Sequence, residues 1–318
     1  MKKLTLLFTL MFSSMTYAWI IDGVGDYKFE ALNSQTYVMH GPLGEPSVQN
    51  YGFMNNPGII IGKQGVIVID PGSTLQVGNK VLEEIEKISK KPIVAVFNTH
   101  VHGDHWLGNQ AIVAKYPNVK IYAHPKMIAH AKDGESDLWL GIMNTLTEGL
   151  SKDTVAVYPT DATSHLQKIV VAGETFIVHN DITGEAHTDN DIMIEHVGSK
   201  TLFLGDNDLM KRFGRFDGSS SMHGNIAALK YATDLNLGHY VPGHGPSGDA
   251  DAAVKPFLDY LIVIQEESKK GYEEDLADYE IKPFAHKRLA DYHHWNGYEE
   301  QLGKHINKML LEIESLDI

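Results

Sequence analysis

Asn98-Thr99-His100-Val101-His102-Gly103-Asp104-His105-Trp106 packs three histidines and an aspartate into a short stretch directly after the apolar run Ile93 to Phe97. A run of that length and composition reads as a buried strand. His100 and His102 stand two apart, so at an extended strand end their rings lie on one side. Gly103 allows a turn that swings Asp104 and His105 toward a neighbouring point. Imidazole and carboxylate are the donors that hold Zn2+ or related ions without sulfur. The 318-residue chain contains no cysteine, which excludes disulfides, zinc ribbons, iron–sulfur ligation and a thiol nucleophile together. Any metal or nucleophile is therefore built from His, carboxylates, Ser/Thr or Lys.

Further donors stand on similar ground. Gly184-Glu185-Ala186-His187-Thr188-Asp189-Asn190-Asp191 puts a histidine in a polar loop. Leu202-Phe203-Leu204-Gly205-Asp206 ends a strand in an acid, and Val241-Pro242-Gly243-His244-Gly245-Pro246 ends one in a histidine between glycines. Taken singly, His187 reads as a turn residue, Asp206 as a helix cap and His244 as a loop histidine. In combination they sit on strand ends and Gly-rich turns, where a rigid scaffold places chemistry.

Between these points the chain alternates strand and helix. Ile59 to Ile61 and Val66 to Ile69, split by Lys63-Gln64-Gly65, read as a hairpin ending at Asp70. Ser73 is expected to cap a helix running to about Lys90, with Val81, Leu82, Ile85 and Ile88 on its apolar face. A helix around Leu107 to Ala114 and a strand Val119 to Tyr122 follow. Residues 133 to 160 read as an insertion with an amphipathic helix carrying Leu138, Trp139, Ile142 and Leu146 on one face, either a lid or a dimer contact. Strands at Ile169 to Val171, Thr175 to Val178, Ile192 to Glu195, Leu202 to Leu204 and His239 to Val241 form a second β-rich half. The fold expected is α+β, a four-layer αββα sandwich of residues 19–248, with a helical C-terminal extension, 249–318, packed on it. Trp106 reads as core. Tyr51, Phe53 and Met54 mark either a substrate loop or an exposed hairpin tip. Ser219-Ser220-Ser221 reads as a helix cap, with His223 inside that helix and open to a pocket. His293, His294 and Trp295 are expected on a helix, in a surface or packing role rather than as an auxiliary metal site.

Charge and termini bound the partners. There are 27 Lys+Arg against 41 Asp+Glu, a net charge of −14, which argues against nucleic acid and leaves a small-molecule substrate. Lys2 and Lys3, the apolar Leu4 to Phe12 and Thr16-Tyr17-Ala18 read as a cleaved signal peptide, residues 1–18. The expected location is periplasmic or secreted, with no membrane span after signal removal. The oligomeric state stays open.

With these motifs in this order, the chain resembles the metallo-β-lactamase-fold hydrolase superfamily over most of residues 35 to 248. The resemblance implies that His100, His102 and His187 hold one metal, that Asp104, His105 and His244 hold a second, and that Asp206 bridges both. Asp70 would be a buried acid steadying the histidine turn, and Asp191 would act similarly. Two Zn2+ per chain are implied, with Fe or Mn admitted by the bridging carboxylate. The implied reaction is attack by a shared hydroxide, oriented by Asp104, on an ester, thioester, lactone or amide carbonyl or a phosphodiester. The absence of cysteine, with Asp206 present, sorts the chain away from the thiolate-ligand β-lactamases toward the glyoxalase II, lactonase and quinoprotein-relay branches. Alternatives are a β-lactam hydrolase and a non-catalytic or redox periplasmic metal-binding accessory protein.

Overall fold

Period-two alternation in the apolar runs sets the layering. The computed structural model describes residues 23–180, 182–216 and 218–316. The expected signal segment, residues 1–18, lies outside them. A seven-stranded sheet holds, in spatial order, β1 (Glu30–Ala31), β2 (Thr36–Val38), β3 (Gly58–Ile61), β4 (Val66–Ile69), β5 (Ile93–Phe97), β6 (Lys120–Ala123) and β7 (Asp161–Ala162). A five-stranded sheet holds β8 (Gln167–Val171), β9 (Glu174–Asn180), β10 (Ile192–His196), β11 (Thr201–Leu209) and β12 (His239–His244), each beside the next in sequence. Neighbours are antiparallel except β4 through β7 and the pair β11 and β12.

Alternate side chains of a strand face opposite sides, and both sheets use this fully. Ile67 and Ile69 of β4 point between the sheets, where they meet Phe97, Phe176, Val178, Ile194 and Phe203. Val66 and Val68 point outward to a helical layer. That layer is α1 (Leu75–Ile88) and α3 (Asn109–Lys115), with α2 (Gly103–Trp106) as a single turn before α3. On the far side Met193, Leu202, Leu204 and Tyr240 face outward onto α6 (Met222–Asp234), α8 (Lys255–Glu273), α9 (Asp278–Arg288) and α10 (Tyr298–Leu316). The short α7 (Ala250–Ala253) precedes α8. The result is the four-layer αββα sandwich, and the C-terminal helices share one apolar cluster with the second sheet. No helix of the described residues is long and apolar enough to cross a membrane.

Local details depart from the sequence reading. The cap of α1 is Thr74, whose Oγ1 accepts from the amide of Val77 at 3.2 Å, while Ser73 is buried beside it. Thr74 also reaches back to the carbonyl of Tyr51, a tie that a local spacing rule does not register. Ile88 is 37% exposed, so the apolar stripe of α1 ends at Ile85. In the insertion, α4 (Pro125–His130) and α5 (Ser136–Leu146) flank the wide turn Ala131–Glu135. The side of α5 that is buried carries Ser136 and Met143, not the predicted apolar face. Phe53 and Met54 are buried rather than exposed. Ser221 caps α6 through the amide of Gly224. His223 turns away from the site to Glu312 of α10, at 2.8 Å. Trp106 is wholly buried, its indole N–H donating to the carbonyl of Val101. Trp295 stacks on Phe213 in the tail's core, and His293 stacks on His286.

Candidate metal centre

The strand β5 ends at Phe97, and the turn that follows it is held from behind by one carboxylate. Asp70 closes β4 with a φ of 49°, a left-handed conformation that acids adopt more readily than most residues. From there Oδ1 accepts the amide of Thr99 at 2.9 Å, while Oδ2 accepts the Thr99 hydroxyl at 2.6 Å and the Nδ1–H of His105 at 2.8 Å. The loop bearing His187 is stitched to the same turn, because Asn190 Oδ1 accepts the amide of Val101 and the amide of Ile192 donates to the carbonyl of Thr99. Asp191 accepts both the amide and the hydroxyl of Thr188, at 2.7 and 2.6 Å. It therefore shapes the His187 loop through Thr188 rather than through an imidazole, and burial pushes its pKa up to about 7. The turn bearing His244 is fixed by Asn56, which donates to the carbonyls of Pro242 and Gly245.

These supports converge seven side chains. His100, His102, His187 and Asp206 form one group of donors, and Asp104, His105 and His244 another, each with donor atoms within 4.8 Å of one another. Asp206 stands between them. Its Oδ1 lies 3.0 Å from His105 Nε2 and 3.3 Å from His244 Nε2, and its Oδ2 lies 4.0 Å from His100 Nε2 and 3.6 Å from His187 Nε2. Asp104 Oδ2 faces His105 and His244 at 3.4 and 3.2 Å.

The chemistry of these donors fits cations. The Met54 carbonyl can only accept, so His244 Nδ1, 2.7 Å away, carries the proton and Nε2 presents a lone pair. The Asp70 carboxylate imposes the same tautomer on His105. His105 Nε2, His100 Nε2 and Asp206 Oδ1 are buried and have no hydrogen-bond partner. Lone pairs aimed at carboxylate oxygens in a dry site are costly unless a cation lies between them. The electrostatics agree. Burial, then the imidazoles of His105 and His102, hold His100 well below its ordinary pKa. Burial opposes ionised carboxylates here, yet positive charge on His105 and His244, whose own pKa values the carboxylates raise, outweighs it and holds Asp104 at about 2 and Asp206 well below the usual range. The carboxylates thus call for positive charge, which a cation supplies when the imidazoles present lone pairs.

The seven donors singled out in the sequence thus meet at one rim between the sheets, with Asp70 and Asp191 behind the turns that carry them. The sequence reading missed Thr99, Asn190, Asn56 and the Met54 carbonyl, which hold the donors in place. Trp139, read as part of a lid or a dimer contact, has its ring centroid 5.1 Å from that of His102.

Comparison with known proteins points the same way. The family model described as "Metallo-beta-lactamase superfamily" matches residues 50–244. A probable metallo-hydrolase of Methanocaldococcus jannaschii is 28% identical over 211 residues, covering 64% of this chain and 93% of that protein. A metallo-beta-lactamase from Pontibacter korlensis superposes with a TM-score of 0.57 at 18% identity, over 74% of this chain and 98% of that one. The sec-alkylsulfatase Pisa1 from a Pseudomonas superposes with a TM-score of 0.65, also at 18% identity, over 90% of this chain but only half of its own.

Proposed function

The chain belongs to the metallo-beta-lactamase superfamily, and from that premise we propose that it is an exported, dinuclear metal-dependent hydrolase, with zinc the favoured ion. The observation that carries this reading is that buried atoms without hydrogen-bond partners stand in both donor groups, His100 Nε2 in one and His105 Nε2 in the other, with Asp206 Oδ1 between them. His100, His102 and His187 would hold one ion, Asp104, His105 and His244 the other, and Asp206 would offer an oxygen to each. Bound there, the ions supply positive charge that polarises a substrate oxygen and makes water nucleophilic near neutral pH.

The chain's own groups do the rest. Asp104 is ionised and buried, facing the imidazoles of both His105 and His244. It is placed to orient the attacking water and accept its proton as the new bond forms. Asp70 fixes the ring of His105, and Thr99 Oγ1 at 3.0 Å from His100 Nδ1 fixes that of His100. Preorganised in this way, the donors need no rearrangement as charge develops on the leaving group. The reaction proposed is hydrolysis of an ester, thioester, lactone or amide carbonyl, or of a phosphodiester.

The experiment is a hydrolysis panel on zinc-loaded protein: an aryl ester, a thioester, a homoserine lactone, a cephalosporin, a bis-aryl phosphodiester and, given the alkylsulfatase likeness, an alkyl sulfate. At least one is expected to turn over, with Asp104→Asn losing about 10²–10⁴-fold in kcat while remaining folded. A metal-loaded protein inert on every member overturns the reading.

A further inference from the structure

The insertion between β6 and β7 leaves apolar side chains in solvent on a helix that touches the metal centre through Trp139. Leu138 is 55% and Leu146 41% exposed, and Ile142 and Trp139 are partly buried. Successive residues of a helix turn by about 100°, so these four fall on one flank of α5, spanning roughly 100° of its circumference. The other flank carries Asp137, Gly141 and Asn144, with Thr145 at the border beside Leu138. Between the flanks, Ser136 and Met143 face the core. The helix is therefore polar on one exposed side and apolar on the other.

The apolar side reaches the donors through Trp139. Trp139 sits against His102, and a Cβ at Gly103 would lie 2.5 Å from Trp139 Cβ, so helix and ligand-bearing turn are in direct contact. The insertion is anchored independently to the other loop of the same group, since His130 of α4 lies 3.2 Å from Asp189, two residues past His187. Its far end is held where Gly52 packs against Met143 and Thr147. The wall is thus fixed in place, and its apolar strip runs from the metal centre along α5 for about 10 Å.

We propose that this flank, with Trp139 nearest the donors and Ile142, Leu146 and Leu138 beyond it, seats the apolar acyl or alkyl chain of the substrate. The inference rests on the hydrolase reading and narrows its substrate class to molecules with a medium-length hydrocarbon arm on the side of His102. Continuity with the donors is what favours a substrate chain over a second protein copy as occupant.

The test is calorimetric titration of the zinc-loaded protein with straight-chain carboxylates from acetate to octanoate, whose head groups suit the cations. Full burial of a methylene strengthens binding about four-fold, and seating against one wall is expected to give roughly two-fold. The double variant Ile142→Ser/Leu146→Ser should flatten this dependence with acetate binding unchanged, and Trp139→Ala should flatten it as well. Trp139→Phe should restore most of it, and Asn144→Ala on the polar flank should leave it intact. A flat series in the native protein, or an unchanged slope in both wall variants, overturns the proposal. So does a dimer in sedimentation that Leu138→Glu dissociates, for the flank would then be an interface between copies. A panel without turnover alongside a steep carboxylate series would instead fault the hydrolase reading, so the two failures are separable.

Discussion

Buried histidines of the framework and of the metal centre have their ring nitrogens treated differently. In the outer helical layer, His305 has Nδ1 2.8 Å from the Tyr260 hydroxyl and donates from Nε2 to the carbonyl of Gly214 at 3.0 Å. In the second sheet, His196 is held by Ser199 and Glu174, and His179 by Tyr231 and Glu195. Both nitrogens of each are satisfied, as burial demands. At the metal centre one nitrogen of His100 and of His105 is held firmly and the other has no hydrogen-bond partner. A buried imidazole with a single bonded nitrogen is a ligand in waiting, whereas one with two is part of the framework.

The comparison can be broken most forcefully at His305. Burial lowers its pKa to about 4 from an ordinary 6.5. Between those values the unfolded chain binds the proton that the folded chain refuses, so stability is fully present above 6.5 and is lost as pH falls toward 4. Native protein is expected to lose on the order of 3 kcal/mol more than His305→Gln across that window, read from urea unfolding at several pH values. Equal losses would show that His305 is not a framework histidine of this kind. A smaller effect is expected at Asp70. Asp70→Asn keeps the shape but removes the charge behind His105, and metal affinity should fall about 10–100-fold. Competition with a chromogenic chelator measures it, and His305→Gln in the same assay should match native protein.

Much of this was legible in the residues, and what was not has a common cause. The motif from His100 to His105 carries its donors within one turn, so spacing alone brings them together. The apolar run Val66 to Ile69 read as a strand, and the alternation inherent in a strand divides its side chains between two layers of the sandwich. The supports escaped because each joins a side chain to backbone far away in sequence, as Asn190 joins Val101 and the Met54 carbonyl joins His244. No local pattern records such bonds. The same holds for His223, which pairs with Glu312 across the second helical layer. On α5 the periodicity identified the apolar face but left lid and dimer contact open, because what the face meets depends on a contact far away in sequence, that of Trp139 with His102.

The central claim is that the partnerless nitrogens mark cation sites, and elemental analysis tests it most directly. Protein purified without chelator and carrying its full activity is predicted to hold about two metal ions per chain, falling on His100→Ala and His105→Ala but not on His305→Gln. A fully folded, fully active protein with no bound metal would contradict it.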